Sequence, residues 1–467
     1  MLRINNLNYD FGVKFRLKNI SLCILEGEII GFLGLTYSGK DILISLLSGK
    51  IKLDNTNIKV YIDGEKYSID NLRKKIYYIG KDNYRITNWN IAEYIYLLDT
   101  KQELIFSSEQ KMIYEANNLF QKFEIDMDVT KKINDLTEFE KRQMDILKAY
   151  STGAKIIIIE DDFDGMDFNE IKRLQIIIKK VIAGTMAVIV NSNSYAVVSI
   201  LSDKYAIFSD GMIIKKCSKE YIKDISQLEY YLIGDNKNSY KNTFTNYGAK
   251  ITKDREVIYT VKDLMLSSGK KLSFKLAKGE VVTILVLNKD EKESVFSKLS
   301  GREKESDIRY IVNKNKIKVK ENYSCKREKI VSIRELGNEK EVFKRMSVAE
   351  NLILPSLAKI STTDYIFNGR KLVKVMLDKF STSSKNSDKT LDDMEINDII
   401  SITLERWLIY SPSVLVLYEP FALCDVKGVA IVKSYIKKFV EKGVSILIIN
   451  TRDENVNELS DRIIKLD

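Results

Sequence analysis

Histidine is absent from this 467-residue chain. That excludes a Ser-His-Asp triad, an imidazole general base and a histidine metal ligand. Proline, at 3 residues, is too rare for long Pro-rich linkers. The 4 cysteines, Cys23, Cys217, Cys325 and Cys424, lie far apart and form no C-x-x-C. This argues against a zinc site or a disulfide framework and for a reducing compartment. The longest apolar runs, such as Val281–Leu287, fall well short of the ~20 residues that span a bilayer. The N-terminal MLRINNLNYD lacks the basic-then-apolar pattern of a secretory signal. The chain is expected to be soluble, or at most to sit against a membrane protein.

What is present is ordinary globular material, 45% hydrophobic and 10% aromatic, with a formal net charge of +10. The length predicts two large α/β domains or about three smaller ones. The charge is spread along the chain, as on a solvated lysine-rich surface, and is also compatible with an anionic partner. Internal repetition decides the domain count. Gly27-Glu28 recurs as Gly279-Glu280, Lys40 as Lys292, and Leu47-Ser48-Gly49 as Leu299-Ser300-Gly301, all at one offset. Ala92-Glu93 recurs as Ala349-Glu350, Asp167 as Asp425 and Ser202-Asp203 as Ser460-Asp461, with the offset drifting by only a few residues. Two homologous domains are expected over 1–235 and 251–467. The polar stretch 236–250, which lacks apolar periodicity, is the link between them.

Each half reads as α/β. Short apolar runs of buried-strand type lie at Glu28–Leu33, Lys155–Ile159 and Met186–Val190, and again at Val281–Leu287, Val414–Leu417 and Val444–Ile449. Helical patterns separate them at Ile42–Leu47, Glu138–Tyr150 and Asn169–Ala183, then at Asn397–Ile409 and Val429–Glu441. Alternating strands and helices predict mainly parallel sheets covered on both faces.

The sharpest motif is Gly34-Leu35-Thr36-Tyr37-Ser38-Gly39-Lys40-Asp41, which fits G-x4-G-K but ends in Asp where Ser or Thr is expected. It follows one predicted strand and opens one predicted helix. Backbone N–H groups and a helix N-terminus would point at phosphate there, with Lys40 adding a point charge. A carboxylate at Asp41 can hold Mg²⁺, but it also faces an anion. At ~5 Å and an effective dielectric of ~20, such a pair costs roughly 3 kcal/mol before a metal offsets it.

With these landmarks the chain resembles the tandem ATP-binding subunit of bacterial monosaccharide ABC importers of ribose or galactose type, over nearly its whole length. The resemblance implies two P-loop NTPase-type ABC nucleotide-binding domains, each with a mixed, mainly parallel sheet and a helical subdomain. Phe11 stands at the adenine-stacking aromatic, six residues before Leu17. Tyr78-Ile79-Gly80-Lys81-Asp82 resembles the Q-loop, with Lys81 at its usual Gln or Glu. Leu136–Glu140 sits at the signature, Ile157-Ile158-Ile159-Glu160-Asp161 at Walker B, Gly165-Met166-Asp167 at the D-loop, and Ser192-Asn193 at the switch Ser-His. In the second half Glu335 falls at the Q-loop, and Met346–Leu352 is similar to the helix start that follows it. Arg406-Trp407-Leu408 matches the segment after the signature, Cys424-Asp425-Val426 the D-loop, and Leu459–Ile463 the end of the domain. The resemblance implies ATP and Mg²⁺ as ligands. It implies Phe11, Gly34, Ser38, Gly39, Lys40 and Asp41 as the nucleotide site, Asp41 and Glu160 as metal ligands, and Asp161, Glu160 and Glu419 as the Walker B carboxylates.

The departures from the family pattern are as specific as the matches. The second phosphate loop, Val286-Leu287-Asn288-Lys289-Asp290-Glu291-Lys292-Glu293, has no glycine and carries three acids. It is expected to be a structural loop that does not bind nucleotide. Both signatures, Leu136–Glu140 and Met394–Asp398, lack glycine and carry two acids each. In the family that segment offers N–H groups to the γ-phosphate across the domain pair, which Cβ atoms and carboxylates oppose. The same acids also suit helix N-termini. Glu160 stands at the metal-orienting Asp. Asp161 stands at the general base, one methylene short of a base that must lie in hydrogen-bond reach. Asn193 replaces the switch His. In the second half Glu419 keeps the base position, but Tyr418 replaces the metal-side Asp and Thr451 the switch His. Three readings remain open at this point. One is a peripheral subunit on the cytoplasmic face of the cell membrane, a pseudo-dimer within one chain, working with a permease and hydrolysing ATP weakly or not at all. The second is a pseudo-ATPase regulator or scaffold of a membrane or signalling complex. The third is a translation-type ABC protein on ribosomal RNA, less favoured because that class carries a long charged helical linker and intact signatures.

Overall fold

The structure, a computed structural model, describes residues 2–10, 16–51, 59–67, 69–72, 74–80, 88–96, 108–161, 163–222, 225–233, 255–300, 309–312, 315–317, 329–334, 336–338, 341–356, 391 and 394–466. The expected link 236–250 and three expected positions, Phe11, Lys81 and Glu335, lie outside the described residues. The chain divides into two compact units, Met1–Asp235 and Asn236–Asp467.

The first unit begins with β1 (Leu2–Asp10), β2 (Arg16–Ile24), β3 (Ile29–Gly34), α1 (Lys40–Leu47), β4 (Lys59–Ile62), β5 (Glu65–Tyr67), α2 (Ile69–Leu72) and β6 (Ile76–Gly80). Then come α3 (Ile91–Tyr96), α4 (Glu109–Lys122), α5 (Glu138–Ser151), β7 (Ile156–Glu160), α6 (Phe168–Ile182) and β8 (Ala187–Asn191). It closes with α7 (Tyr195–Leu201), β9 (Lys204–Ser209), β10 (Met212–Ser218) and α8 (Ile225–Ile233). A six-stranded sheet runs β10-β9-β3-β8-β7-β6, and a four-stranded antiparallel sheet runs β2-β1-β4-β5. The central pairs β3–β8, β8–β7 and β7–β6 are parallel. Their residues are accordingly apolar on both faces, as in Ile156–Ile159, which is wholly buried. The two sheets share one core, in which Leu2, Ile20 and Ile62 pack with Phe32, Ile44, Ile158 and Phe208. Helices α3, α4 and α5 pack on one another as the helical part of this unit.

The second unit repeats this plan. Its elements are β11 (Val257–Met265), β12 (Lys271–Ala277), β13 (Val281–Val286), α9 (Lys289–Leu299), β14 (Arg309–Val312), β15 (Asn315–Ile317) and β16 (Ile330–Arg334). They continue with α10 (Val348–Ile353), α11 (Ile396–Tyr410), β17 (Val414–Tyr418), α12 (Val426–Glu441), β18 (Ser445–Asn450) and β19 (Arg462–Leu466). The parallel sheet runs β16-β17-β18-β13-β19, which matches β6-β7-β8-β3-β9 strand for strand, and the antiparallel sheet β12-β11-β14-β15 matches β2-β1-β4-β5. The duplication in the sequence is thus a duplication of two-sheet topology.

The helices start where the sequence caps them. Thr137 and Glu140 form a reciprocal capping box on α5, Asp167 and Glu170 on α6, and Ser347 and Glu350 on α10. Two hairpins turn on Asp-Gly pairs with both residues at positive φ, Asp63-Gly64 and Asp210-Gly211. That is the chemistry a two-residue hairpin loop requires. The second turn reaches the functional end of the sheet. The Gly211 N–H donates to the Ser38 carbonyl (3.0 Å), and the Gly211 carbonyl accepts from the Lys18 N–H (2.8 Å). A Cβ on Gly211 would fall 1.9 Å from the Arg16 carbonyl oxygen. Gly211→Ala is therefore expected to destabilise the protein by at least about 2 kcal/mol, combining a positive φ with a backbone collision. An unchanged urea midpoint would contradict this account of the turn.

Candidate nucleotide site

Strand β3 ends at Gly34, and α1 opens at Lys40, so five residues, Leu35–Gly39, make the turn between them. Two positions need glycine for space. A Cβ on Gly34 would lie 2.3 Å from Ser38 Oγ and 3.0 Å from the Phe208 carbonyl oxygen. Gly39 has φ +101° and packs against Leu17 and Gly211. Gly39 is also the N-cap of α1 and offers no side-chain cap, whereas α5, α6 and α10 close their first turns with their own side chains. The first turn of α1 has no side-chain acceptor from its N-cap and is a place where an external anion could be received. Ser38 Oγ is buried without a hydrogen-bond partner beside it. Lys40 is 3% exposed and brings its ammonium to the same end. These residues fit a polyphosphate.

Around Lys40 the carboxylates and amides form one connected network. Lys40 Nζ donates to Asn191 Oδ1 at 2.8 Å and lies 3.4 Å from Asp41 Oδ1. Asn191 Nδ2 donates to Asp41 Oδ1 (3.0 Å) and to Glu160 Oε1 (3.2 Å). The charges on either side fix the amide's orientation, carbonyl toward the cation and NH₂ toward the carboxylates. On the far side of Glu160, Lys50 Nζ donates to Glu160 Oε2 (3.1 Å) and to the Tyr78 hydroxyl (2.6 Å). The Tyr78 hydroxyl in turn donates to Glu160 Oε2. Burial works against the Lys50 ammonium, but its hydrogen bonds to Tyr78 and Glu160 outweigh that and raise its pKa above the ordinary lysine value. Burial and the bond to Glu160 likewise raise Tyr78, which stays a neutral phenol.

Asp41 and Glu160 are the two carboxylates expected to hold Mg²⁺. The structure brings them to one amide, but each already has its counter-charge from the protein. Among the described residues no group of three His, Cys, Asp or Glu side chains converges on a possible metal position. A hard divalent cation needs several oxygen ligands at its own short distances. To gain Glu160 it would have to displace an ammonium and a phenol. The pair as it stands does not fit a metal ion.

Asp161, the expected general base, faces away from this work. Its carboxylate lies 2.6 Å from Arg142 Nη2 of α5. Arg142 Nη1 donates to Asp145 Oδ2 (3.0 Å), and the Tyr94 hydroxyl donates to Asp145 Oδ1 (2.9 Å). Arg142, Asp145 and Asp161 are all buried. Asp161 is thus paired with a buried cation. The signature acids are occupied as well. Glu140 accepts from the Thr137 N–H (2.7 Å) and from Lys131 (3.0 Å), and Glu138 accepts from Lys141 (2.8 Å). Capping is what these acids do here. Asn193, at the switch position, is exposed.

The corresponding end of the second unit is built differently. Only Leu287 and Asn288 separate β13 from α9. The segment expected as a loop is helical from Lys289 onward, because Asn288 caps it by accepting from the Glu291 N–H (2.9 Å). Lys40 is the first residue of its helix, whereas Lys292 is the fourth of α9. The extra helical turn occupies the position that the glycine loop leaves open in the first unit. Lys292 is fully buried, and its ammonium donates to Glu419 Oε1 and Thr451 Oγ1, both at 2.6 Å. The Thr451 hydroxyl also donates to Glu419 Oε1 (2.6 Å). The ammonium further stands 5.5 Å from the Tyr418 ring centroid. Glu419, the second expected base, is therefore the counter-ion of the lysine.

Of the expected residues, the structure assembles Gly34, Ser38, Gly39, Lys40, Asp41 and Glu160 at one end of the first sheet. Asp161 belongs to a neighbouring buried ion cluster, and Phe11 lies outside the described residues. Three participants were missed. Asn191 ends β8 one residue before the expected switch pair. Lys50 follows the repeated Leu47-Ser48-Gly49, and no periodicity marks it. Arg142 had one available signal, its i,i+3 spacing to Asp145 on a helix.

The ABC transporter family model matches residues 17–163. The galactose/methyl galactoside import ATP-binding protein of Fusobacterium nucleatum is 23% identical, aligned over 99% of this chain and 93% of its own. The ribose import ATP-binding protein of Lactococcus lactis and the xylose import ATP-binding protein of Histophilus somni are each 21% identical over 99% of this chain and 94% of theirs. Among solved structures, an archaeal ribosome recycling factor in complex with a ribosomal stalk protein superposes with TM-score 0.57 at 16% identity, covering 98% of this chain and 87% of that one. The likeness to the recycling factor is one of fold, that of two tandem ABC nucleotide-binding domains.

The buried ion clusters make a stability prediction. Arg142→Ala leaves Asp145 and Asp161 buried without their cation and is expected to cost about 3–5 kcal/mol. Lys292→Ala strands Glu419 and costs a comparable amount. The volume-preserving pair Lys292→Met with Glu419→Gln should fall within about 1 kcal/mol of the parent. Urea unfolding of the full chain reads all three, and a tolerated Arg142→Ala would contradict the cluster.

Proposed function

We propose, from the premise that this chain is a tandem ABC protein homologous along its whole length to the ATP-binding proteins of sugar importers, that it is itself the nucleotide-binding subunit of such an importer. It binds one ATP, in its first unit, and hydrolyses it slowly or not at all. The observation that carries this reading is the contrast between the two lysines. Lys40 heads an uncapped helix beneath a glycine loop, while Lys292 sits one turn inside a capped helix, neutralised by Glu419.

The residues divide the work of binding. The Gly34–Gly39 backbone cradles the phosphates, the Ser38 hydroxyl gains a partner, and Lys40 turns its ammonium from Asn191 toward the β- and γ-phosphates. Phe11 stacks on the adenine. ABC ATPase domains in general bind ATP with Mg²⁺. In this chain the carboxylates at the metal-side positions, Asp41 and Glu160, serve first to balance Lys40 and Lys50. Slow turnover follows from the same wiring, because Asp161 is held by Arg142, Glu419 by Lys292, and no histidine exists to move a proton.

Among the described residues no helix is long and apolar enough to cross a membrane. Its place is then peripheral, on the inner face of the cell membrane against a permease, with sugar specificity in other subunits. The two domains extend over 1–235 and 251–467, joined by 236–250. A permease recovered with the chain from membranes supports transport. A regulator or kinase recovered in its place would point to the scaffold reading, and ribosomes to a role in translation.

Saturating ATP is expected to raise the melting temperature through linkage, with a stoichiometry of one per chain. Lys40→Ala should abolish the shift, and the Lys292→Met/Glu419→Gln pair should leave it unchanged. Turnover should fall below the ~1 per second at the bottom of the usual enzyme range. A flat thermal response at millimolar ATP, or two nucleotides per chain, refutes the assignment.

A further inference from the structure

We propose that Lys50 is a built-in substitute for the divalent cation, so that the first unit binds ATP without a metal ion. The inference rests on the nucleotide reading above and deepens it. Its ground is the disagreement between the metal that ABC ATPases generally use and the donors gathered here.

Glu160 stands where a metal-side carboxylate is expected, yet both of its oxygens are taken. Oε1 accepts from Asn191 (3.2 Å), and Oε2 accepts from Lys50 (3.1 Å) and from the Tyr78 hydroxyl. Lys50 is itself seated. Its ammonium donates to the Tyr78 hydroxyl (2.6 Å) and lies 4.0 Å from the Tyr78 ring centroid, so phenol, ring and carboxylate hold it from three sides. The raised pKa keeps it charged at every pH at which the protein would work.

The electrostatics give this arrangement a consequence. An unpaired Glu160 would repel a phosphate brought close to it. Ordinarily a divalent ion removes that repulsion by bridging the carboxylate to the phosphates. Here Lys50 cancels it before any ligand arrives. Asp41 is treated in the same way by Lys40, 3.4 Å away, and by the Asn191 amide. Two lysines therefore balance two carboxylates around one asparagine, and the incoming triphosphate meets the open α1 N-terminus without a net acidic wall. A metal would have to break the Lys50–Glu160 pair to gain Glu160 as a ligand.

Equilibrium titration of the full chain with ATP, in magnesium and in chelator, tests this. The parent is expected to hold its affinity within about twofold between the two buffers. Lys50→Ala frees Glu160, so its affinity should drop about tenfold in chelator and recover with magnesium, now bound through the liberated carboxylate. Lys50 is half exposed, so truncation leaves the core intact. Lys50→Gln, which keeps the stem, should behave like Lys50→Ala. A parent that loses tenfold or more in chelator, or Lys50 variants that bind like the parent in chelator, overturns the role of Lys50 while leaving ATP binding standing. Absence of binding in both buffers fails the nucleotide reading itself, and this inference with it.

Discussion

A buried ammonium must have a counter-charge, and both units of this protein are organised around one. Lys40 and Lys292 are repeat-equivalent residues on α1 and α9, and both are almost wholly out of water. Neither can remain so without acceptors, because the charged form of lysine is strongly disfavoured by desolvation alone. The two units meet that requirement differently. Around Lys40 the nearest acceptor is a neutral amide, Asn191, which relays to Asp41 and Glu160. Around Lys292 it is a carboxylate in direct contact, reinforced by a hydroxyl that bonds to both. An ammonium held by an amide can exchange that partner for a phosphate at small cost. One held by a buried carboxylate cannot, since leaving would strand the acid.

Helix termini carry the same division. The start of α1 has no side-chain cap, so its free N–H groups are satisfied by solvent or by a ligand. The start of α9 is capped by Asn288 and extended by one turn, and the acids Asp290 and Glu291 sit in that first turn. Acids near a helix N-terminus stabilise the helix and repel an anion by the same field. The capping boxes of α5, α6 and α10 apply that logic elsewhere. In each, a side chain takes the first-turn donors of its own helix.

The sequence was legible where periodicity and glycine chemistry speak for themselves. The runs at Lys155–Ile159 and Val414–Leu417 read as doubly buried strands, and the structure places Ile156–Ile159 and Val414–Leu417 in such strands. The repeat spacing located two domains because two copies of one fold must keep the same intervals between strand, turn and helix. The phosphate loop was legible because Gly34 and Gly39 stand where a Cβ would strike Ser38 or the Asp210-Gly211 turn. The second loop, without glycine, is expected from the sequence to be a structural loop that does not bind nucleotide. The absence of glycine there permits a helix, and Asn288 starts one. Lys50 left no trace that spacing could reveal, and Arg142 only its i,i+3 spacing to Asp145, because Glu160, Tyr78 and Asp161 lie on or just after strands distant from them along the chain.

By itself, then, the amino-acid order determined the duplicated α/β plan, the place of one glycine loop, and the absence of any histidine. These are matters of local pattern, set by which residue types tolerate a turn, a strand or a cap. Only the tertiary structure decided which cation meets which carboxylate. That choice depends on the parallel register that brings the ends of β6, β7 and β8 together beside α1, so that Glu160 meets Lys50 and Asp161 meets Arg142. Ion pairing depends on distance and burial, and neither is written in the spacing of residues along a chain.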